Sequence, residues 1–269
     1  MLQLVRDAAL DGWMDLRETI RTFHRAAILG WQEVATRYRR SRVGPFWLTI
    51  NKAVLIAALS FVFGTLFRLP MDYFIPYLAI GLVLWGFIAS TLGEGCTALS
   101  SNSGTILHVR MPLTTYIGIV LYRNILILLH NALIIPVVLL IFWRPVSFEV
   151  LLVVPGLLLL ALNLAWMILI LSVVCARYRD VTEIVNNALQ VVFYLTPIIW
   201  TIDLLEGRVG ALWLQLNPLL HLIEVVRAPL LGELPTVMNW SVVTILALVG
   251  WTIALPFFGR FQHRVPYWL

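Results

Sequence analysis

Apolar residues run through this chain in long, nearly unbroken stretches, separated by short clusters of charge, glycine and proline. Six of these stretches are long enough to cross about 30 Å of hydrocarbon as helices. They lie at about 45–67, 73–98, 113–142, 148–175, 184–202 and 240–261. The first is expected to begin at Gly44-Pro45, because proline is tolerated in a first helical turn. Asn51 and Lys52 fall near its start, where a lysine can snorkel to the interface.

The pattern differs before the first span and after the fifth. From about 13 to 40, Trp13, Leu16, Ile20, Phe23, Ala27, Trp31, Val34 and Tyr38 recur every three or four residues, which makes one helical stripe. Asp15, Arg17, Glu18, Arg21, Arg25 and Glu33 lie off that stripe. A helix carrying indoles and arginines in this way fits the membrane interface, or a soluble partner, or both. Residues 203–239 are apolar in pieces but broken by Gly207, Gly210, Pro218, Pro229, Gly232 and Pro235. The pieces have the length of re-entrant segments rather than full spans, so two short helices are expected at about 211–216 and 219–231. The expected fold is all-α and polytopic, with six transmembrane helices, an N-terminal amphipathic interface helix and short re-entrant helices between spans 5 and 6. Residues 1–42 form a cytoplasmic tail with the interface helix, and 43–269 form the six-span membrane domain.

Composition supports the spans. Of 269 residues, 61% are hydrophobic and only 12% are charged, against about 25% in a soluble domain. So little charge cannot coat a water-soluble globule of this size. The net charge of +5 comes almost entirely from arginine, and Lys52 is the only lysine. This charge sits beside apolar spans, which points to lipid headgroups rather than nucleic acid. Cys96 and Cys175 lie in apolar surroundings, and no disulfide is expected. The first 40 residues show no cleavable signal peptide.

Arginine placement orients the spans. Six spans put the N-terminal tail, the 2–3 loop, the 4–5 loop and the C-terminal tail on one side. That side carries Arg6, Arg17, Arg21, Arg25, Arg37, Arg39, Arg40, Arg42, Arg110, Arg177, Arg179, Arg260 and Arg264; the other carries Arg68, Arg144, Arg208 and Arg227. Both termini are therefore expected to be cytoplasmic.

Some chemistries are missing. A phosphate-binding loop needs glycines around a lysine, and Thr49-Ile50-Asn51-Lys52 has no such frame. The carboxylates are scattered and the five histidines lie far apart, so no catalytic or metal site is expected. Polar residues do occur inside spans: Glu94, Arg123, Asn124, His130, Asn131 and Asn163. An ionisable group at membrane depth is a functional candidate by default, although a histidine bonded to a neighbouring helix is the plainer reading of His130. The loops 98–112 and 176–183 are short and polar. Each could offer a small helix to a soluble partner or be a plain solvated turn.

Five motifs, in order along the chain, carry a family resemblance. Arg37-Tyr-Arg-Arg-Ser-Arg-Val-Gly-Pro-Phe-Trp47 resembles the R-Y-x-x-S-x-L-G-x-x-W opening of span 1 in polysaccharide-exporting ABC transporter permeases, with Val43 replacing the usual leucine. Val109-Arg-Met-Pro112 resembles their basic or polar residue before an aliphatic-proline pair. Ala176-Arg-Tyr-Arg-Asp-Val181 resembles their (R/F)-R-D-(I/V) loop, and Tyr194-Leu-Thr-Pro-Ile-Ile-Trp200 their aromatic-x-T-P-I-x-(W/Y) end of span 5. Asn217-Pro218 matches their N-P pair.

The resemblance implies a homodimeric permease in the bacterial inner (plasma) membrane, served by separate ATPase subunits that bind ATP and magnesium, with no cofactor in this chain. The implied cargo is an undecaprenyl-diphosphate-linked polysaccharide, most often lipopolysaccharide O-antigen. Capsule, teichoic acid or galactan on the same machine, or a related permease for drugs or small lipids, are the alternatives. Spans 1 and 5 line the channel in that family, which makes Trp47, Phe61, Phe63, Phe67, Phe193, Tyr194 and Trp200 the candidate lining. Aromatic faces stack on sugars without one fixed bonding pattern, which suits a sliding polymer. Arg37, Arg39, Arg40 and Arg42 offer forked donors to a lipid diphosphate at the entrance. Ser101, Asn102, His108 and Arg110 are the candidate ATPase-coupling residues.

Overall fold

The computed structural model describes residues 2–38, 46–143, 147–201 and 214–269, which are helical with no strand among them. Two helices, α1 (Leu2–Arg21) and α2 (Phe23–Tyr38), precede the membrane bundle. The bundle comprises α3 (Phe46–Phe67), α4 (Met71–Thr97), α6 (Leu113–Ala132), α7 (Ile134–Ile141), α8 (Val153–Arg177), α9 (Asp180–Leu195) and α11 (Val237–Phe261). The small helix α5 (Ser103–His108) sits between α4 and α6, and α10 (Pro218–Leu230) precedes α11.

Among the described residues, five segments are long and apolar enough to cross a membrane: α3, α4, α6 with α7, the stretch from Phe148 through α8, and α11 with the turn after it. The third is one span with a break at Leu133, three residues before Pro136. Proline there has no N–H to give and crowds the preceding turn. The expected fifth span, 184–202, differs. Its helix α9 starts four residues earlier, at Asp180, and stops at Leu195. Sixteen residues reach about 24 Å, short of the hydrocarbon thickness. Thr196-Pro197 ends it because proline disfavours a helical residue before it, and Thr196 is extended. The chain continues as irregular backbone in which Thr196, Pro197, Ile198 and Ile199 are buried. Non-helical backbone is tolerated at membrane depth where protein covers it.

α4 is the centre of the bundle. In its apolar window 78% of residues are buried, against 11% for α3. α3, α6, α8 and α9 pack around it, and α11 packs on α8. The expected helix at 219–231 is α10, capped by Asn217, whose side chain accepts from the Leu219 N–H at 3.0 Å, and with Pro218 in its first turn. It ends at Gly232, whose φ of +81° is the left-handed conformation suited to glycine just past a helix. Of the expected helix at 211–216, residues 211–213 lie outside the described residues.

The N-terminal segment departs from the single stripe expected from 13 to 40. The helix begins at residue 2 and breaks at Thr22. The face that packs on the bundle is not the aromatic one. Trp13, Ile20, Phe23 and Trp31 are exposed, whereas Gly12, Thr19, Ala26, Gly30 and Val34 are buried. Small residues let backbones approach closely. Gly12 lies against the Leu255 carbonyl and Gly259 of α11, with no room for a side chain. The bulky stripe is left facing outward, as an interfacial helix requires.

Candidate functional site

α3 and α9 both pack on α4 and flank an open groove along it. A hollow of about 410 Å³ in this groove is lined by Lys52 and Leu55 of α3, Leu82, Trp85 and Ala89 of α4, and Asn186, Leu189, Gln190, Phe193 and Tyr194 of α9. An adjoining hollow of about 360 Å³ shares Lys52 and Leu55 and runs behind α3 past Asn51, Gly86, Ser90, Glu94 and Asn131. The groove therefore combines aromatic faces, amides and one cation.

The aromatic candidates separate in space. Phe193 packs on Trp85 at 5.6 Å between ring centroids and on Tyr194 at 5.3 Å, and both line the groove. Trp200 donates its indole N–H to the Tyr194 carbonyl at 3.1 Å, which folds the chain back over the end of α9. Phe61 sits instead on the other flank of α3, in an apolar hollow of about 720 Å³ shared with α7. Trp47 is exposed, Phe63 packs against the core, and the Phe67 side chain lies outside the described residues. The Arg37 side chain, with Arg39, Arg40 and Arg42, also lies outside the described residues.

The far end of α9 is clamped by groups from two sequence motifs and by two residues outside them, Tyr77 and Arg227. Asn217 donates to the Thr196 hydroxyl at 2.8 Å, so the Asn-Pro and Thr-Pro pairs meet. The Pro197 carbonyl accepts from Tyr77 at 2.9 Å and from Arg227 at 2.7 Å. Arg227 is fully buried, pairs with Glu224 three residues before it, and lies over the Tyr77 ring. From the sequence alone, Arg227 is only a charge on the less basic side.

At the basic end, the polar residues noted inside spans 2 and 3 form one network. Arg123 of α6 donates to Glu94 of α4 at 2.7 Å and also pairs with Glu33 of α2. Asn124 donates to Glu94 at 2.7 Å, and Ser90 donates to the Asn124 side-chain oxygen at 2.7 Å. His130 and Asn163 stand apart. His130 bonds the Leu126 carbonyl of its own helix at 2.8 Å, and Asn163 donates to the Val243 carbonyl at 3.1 Å. Of these groups Ser90 and Glu94 line the hollow beside Lys52, together with Asn131.

The interface helices are tied to α6 through Glu33, Asp15 and Thr19. Asp15 accepts from the N–H groups of Leu113 and Thr114 at 3.1 and 3.0 Å and from the Thr114 hydroxyl. It thus caps a helix 98 residues away that has no side-chain cap of its own. Burial raises the Asp15 carboxyl above its ordinary value, and the bonds from Thr114 and Leu113 offset part of that. Thr19 bonds Thr114 and Thr115 one turn further on, at 2.7 and 3.0 Å.

The coupling candidates fall at this end. Ser101 and Asn102 line a hollow of about 810 Å³ bounded by Gln32, Glu33 and Thr36 of α2 and by Glu94 and Arg123. Their side chains bond back to the Thr97 and Ala98 carbonyls at 2.6 and 2.8 Å, which fixes the turn leaving α4. His108 and Arg110 are exposed, beside the exposed apolar Leu107 and Val109.

Spanning helices around a groove, with helices lying against one end, define a multi-pass membrane transport protein. The chain belongs to the ABC-2 type transporter family, which it matches over residues 25–231. It is similar to the O-antigen export system permease protein RfbA of Myxococcus xanthus, with 25% identity over 206 residues, covering 73% of this chain and 76% of that protein. Two proteins of the same name from Klebsiella pneumoniae are each 22% identical, over 245 and 242 residues, covering 87% of this chain and 90% of each relative.

Proposed function

We propose that the chain is the transmembrane subunit of an ATP-driven exporter that moves O-antigen, as an undecaprenyl-diphosphate-linked polysaccharide, out through the bacterial inner membrane. The observation that carries this reading is the groove between α3 and α9, whose aromatic and amide lining suits a sugar chain that must slide. The names of the relatives supply the cargo. ATP is hydrolysed by a separate ATPase subunit, the partner that membership of the ABC-2 type transporter family supports.

The groove is open along one side within a single chain, and α3 leaves most of its surface uncovered. A second copy facing it closes a conduit, so the working unit is a homodimer. Residues 1–42 act as the cytoplasmic interface unit and 43–269 as the permease domain, with both termini cytoplasmic. Arg37, Arg39, Arg40 and Arg42 receive the lipid diphosphate at that surface, and Ser101 through Arg110 pass movement from the ATPase. Asp15, Thr19 and Glu33 make the interface helices and α6 one lever.

The test is export in cells. Removing the chain abolishes surface O-antigen and leaves lipid-linked polymer inside, and tagged protein purifies with an ATPase. The double variant Arg39→Gln, Arg40→Gln inserts and assembles but does not export. Intact surface polymer in the deletion strain overturns the reading.

A further inference from the structure

We propose that Lys52 is an oxyanion-binding subsite inside the groove, part-way through the membrane and separate from the arginine cluster at the entrance. The proposal rests on the export reading and adds a recognition element to it.

The ordinary role of a lysine near the start of a span is to snorkel back to the headgroups. Lys52 does not. It lies six residues into α3, about 9 Å along the axis from Phe46. Its amine sits against Gly86 of α4, so close that a side-chain carbon on Gly86 would lie 2.9 Å from Nζ. Gly86 is eleven residues before the end of α4, about 16 Å from that end. The amine is thus directed inward, and the glycine clears the space that it occupies.

Nothing among the described residues pairs with it. No carboxylate comes within the 4.0 Å of an ion pair, and no hydrogen bond is made by its amine. Glu94, in the adjoining hollow, is held by Arg123 and Asn124, both at 2.7 Å. A cation left unpaired at this depth is costly unless water or a ligand meets it.

The opposite wall supports a wet groove. α9 carries Glu183, Asn186, Asn187 and Gln190 at helical spacing, and all four are exposed. Asn186 and Gln190 line the same hollow as Lys52. Facing lipid, this stripe would have no partners; facing water or a polar cargo, it is satisfied. An ammonium opposite two amides, with Trp85 and Tyr194 alongside, suits a sugar carrying an oxyanion. That oxyanion is either the phosphate of the lipid anchor or the carboxylate of an acidic sugar.

The experiment uses the complete exporter with its ATPase, in vesicles of phosphatidylethanolamine and phosphatidylglycerol. The probes are a polyprenyl diphosphate bearing a neutral oligosaccharide, the same oligosaccharide on an uncharged ether-linked polyprenol, and a free uronate oligosaccharide. Lys52→Gln is expected to weaken binding of an anionic probe about tenfold, the size of one charge-assisted contact, and to leave the ether-linked probe unaffected. Lys52→Arg retains binding. In Lys52→Cys, aminoethylation of the new thiol restores the ammonium and with it the affinity, which separates charge from folding. An effect on the diphosphate probe identifies the lipid anchor as the source, and an effect on the uronate identifies the sugar. Unchanged binding of both anionic probes by Lys52→Gln, equal loss of the ether-linked probe, or no binding of either anionic probe by the unaltered exporter overturns the proposal. Failure of the export reading shows separately, as surface polymer surviving deletion of the chain.

Discussion

Arg227 and Tyr77 grip the same atom. Both donate to the Pro197 carbonyl, at 2.7 and 2.9 Å, while the guanidinium lies 3.8 Å from the centroid of the Tyr77 ring. That carbonyl belongs to the turn that ends α9, so α4 and α10 together fix where the groove wall stops. Proline frees this geometry by ending the helix, and the freed carbonyl then needs donors.

Removing the cation is therefore expected to be severe. Arg227→Ala leaves Glu224 without its partner and the Pro197 carbonyl with one donor fewer. Breaking a buried pair from one side costs about 3–5 kcal/mol. Tyr77→Phe removes only one bond, about 1 kcal/mol. Thermal unfolding of the purified protein, followed by intrinsic tryptophan fluorescence, should show a large fall in midpoint for the first and a small one for the second. Adding Glu224→Gln to Arg227→Ala should recover part of the loss, because the orphaned charge goes with it. Equal midpoints for the unaltered protein and Arg227→Ala would remove the clamp from the account.

Glu33 joins the interface helix to Arg123, which Glu94 also holds. The two carboxylates differ in setting: Glu33 is the more exposed, and Glu94 has Asn124 as a second donor. Glu33→Gln should thus loosen α2 without disturbing α4 and α6. A partly exposed ion pair is worth about 0.2–1 kcal/mol, up to roughly fivefold in local opening. Hydrogen exchange should rise by that order in α2 and stay level around Glu94. Faster exchange in α4 as well would show that the three residues form one unit rather than a hinge on a fixed base.

The spans were legible because their signal is additive: some twenty apolar residues cannot be hidden in water. The network of Glu94, Arg123 and Asn124 was visible as residues but not as a network, since nothing in a sequence says which polar groups of two helices share a level. The stripe of α1 and α2 is legible as an outward, interfacial face; the face that packs on the bundle is not, for a physical reason. Periodicity tracks the largest apolar side chains, and here these face outward while Gly12, Thr19, Ala26 and Gly30 touch the bundle. Between helices in a membrane, close approach of small residues does the work that burying bulky ones does in water. Their spacing of seven and four residues was the available signal. The early stop of α9 is legible in Thr196-Pro197, although Ile198, Ile199 and Trp200 continue the apolar run past it. The inward turn of Lys52 was not readable, because snorkelling and pointing inward have the same sequence.

Asp15 gives the last prediction, and its sign follows from its surroundings. The carboxyl accepts two backbone N–H groups at the start of α6, where the helix dipole favours negative charge. Burial nevertheless outweighs those bonds and raises its pKa in the folded protein. The folded state therefore holds the Asp15 proton more tightly than the unfolded state does, and this carboxyl's contribution to stability falls as pH rises from its ordinary value, near 3.8, through the raised one. Asp15→Asn keeps an acceptor for the cap but cannot ionise, so this part of the pH dependence should disappear. Asp15→Ala removes the cap as well and should cost about 1–2 kcal/mol at every pH. Unfolding midpoints of the three proteins between pH 4 and pH 8 separate the two effects. The difference between the unaltered protein and Asp15→Asn should shift against the unaltered protein as pH rises, whereas Asp15→Ala should lie below Asp15→Asn by a constant amount. A difference that shifts the other way would mean that the N-terminus of α6 stabilises the carboxylate more than burial opposes it.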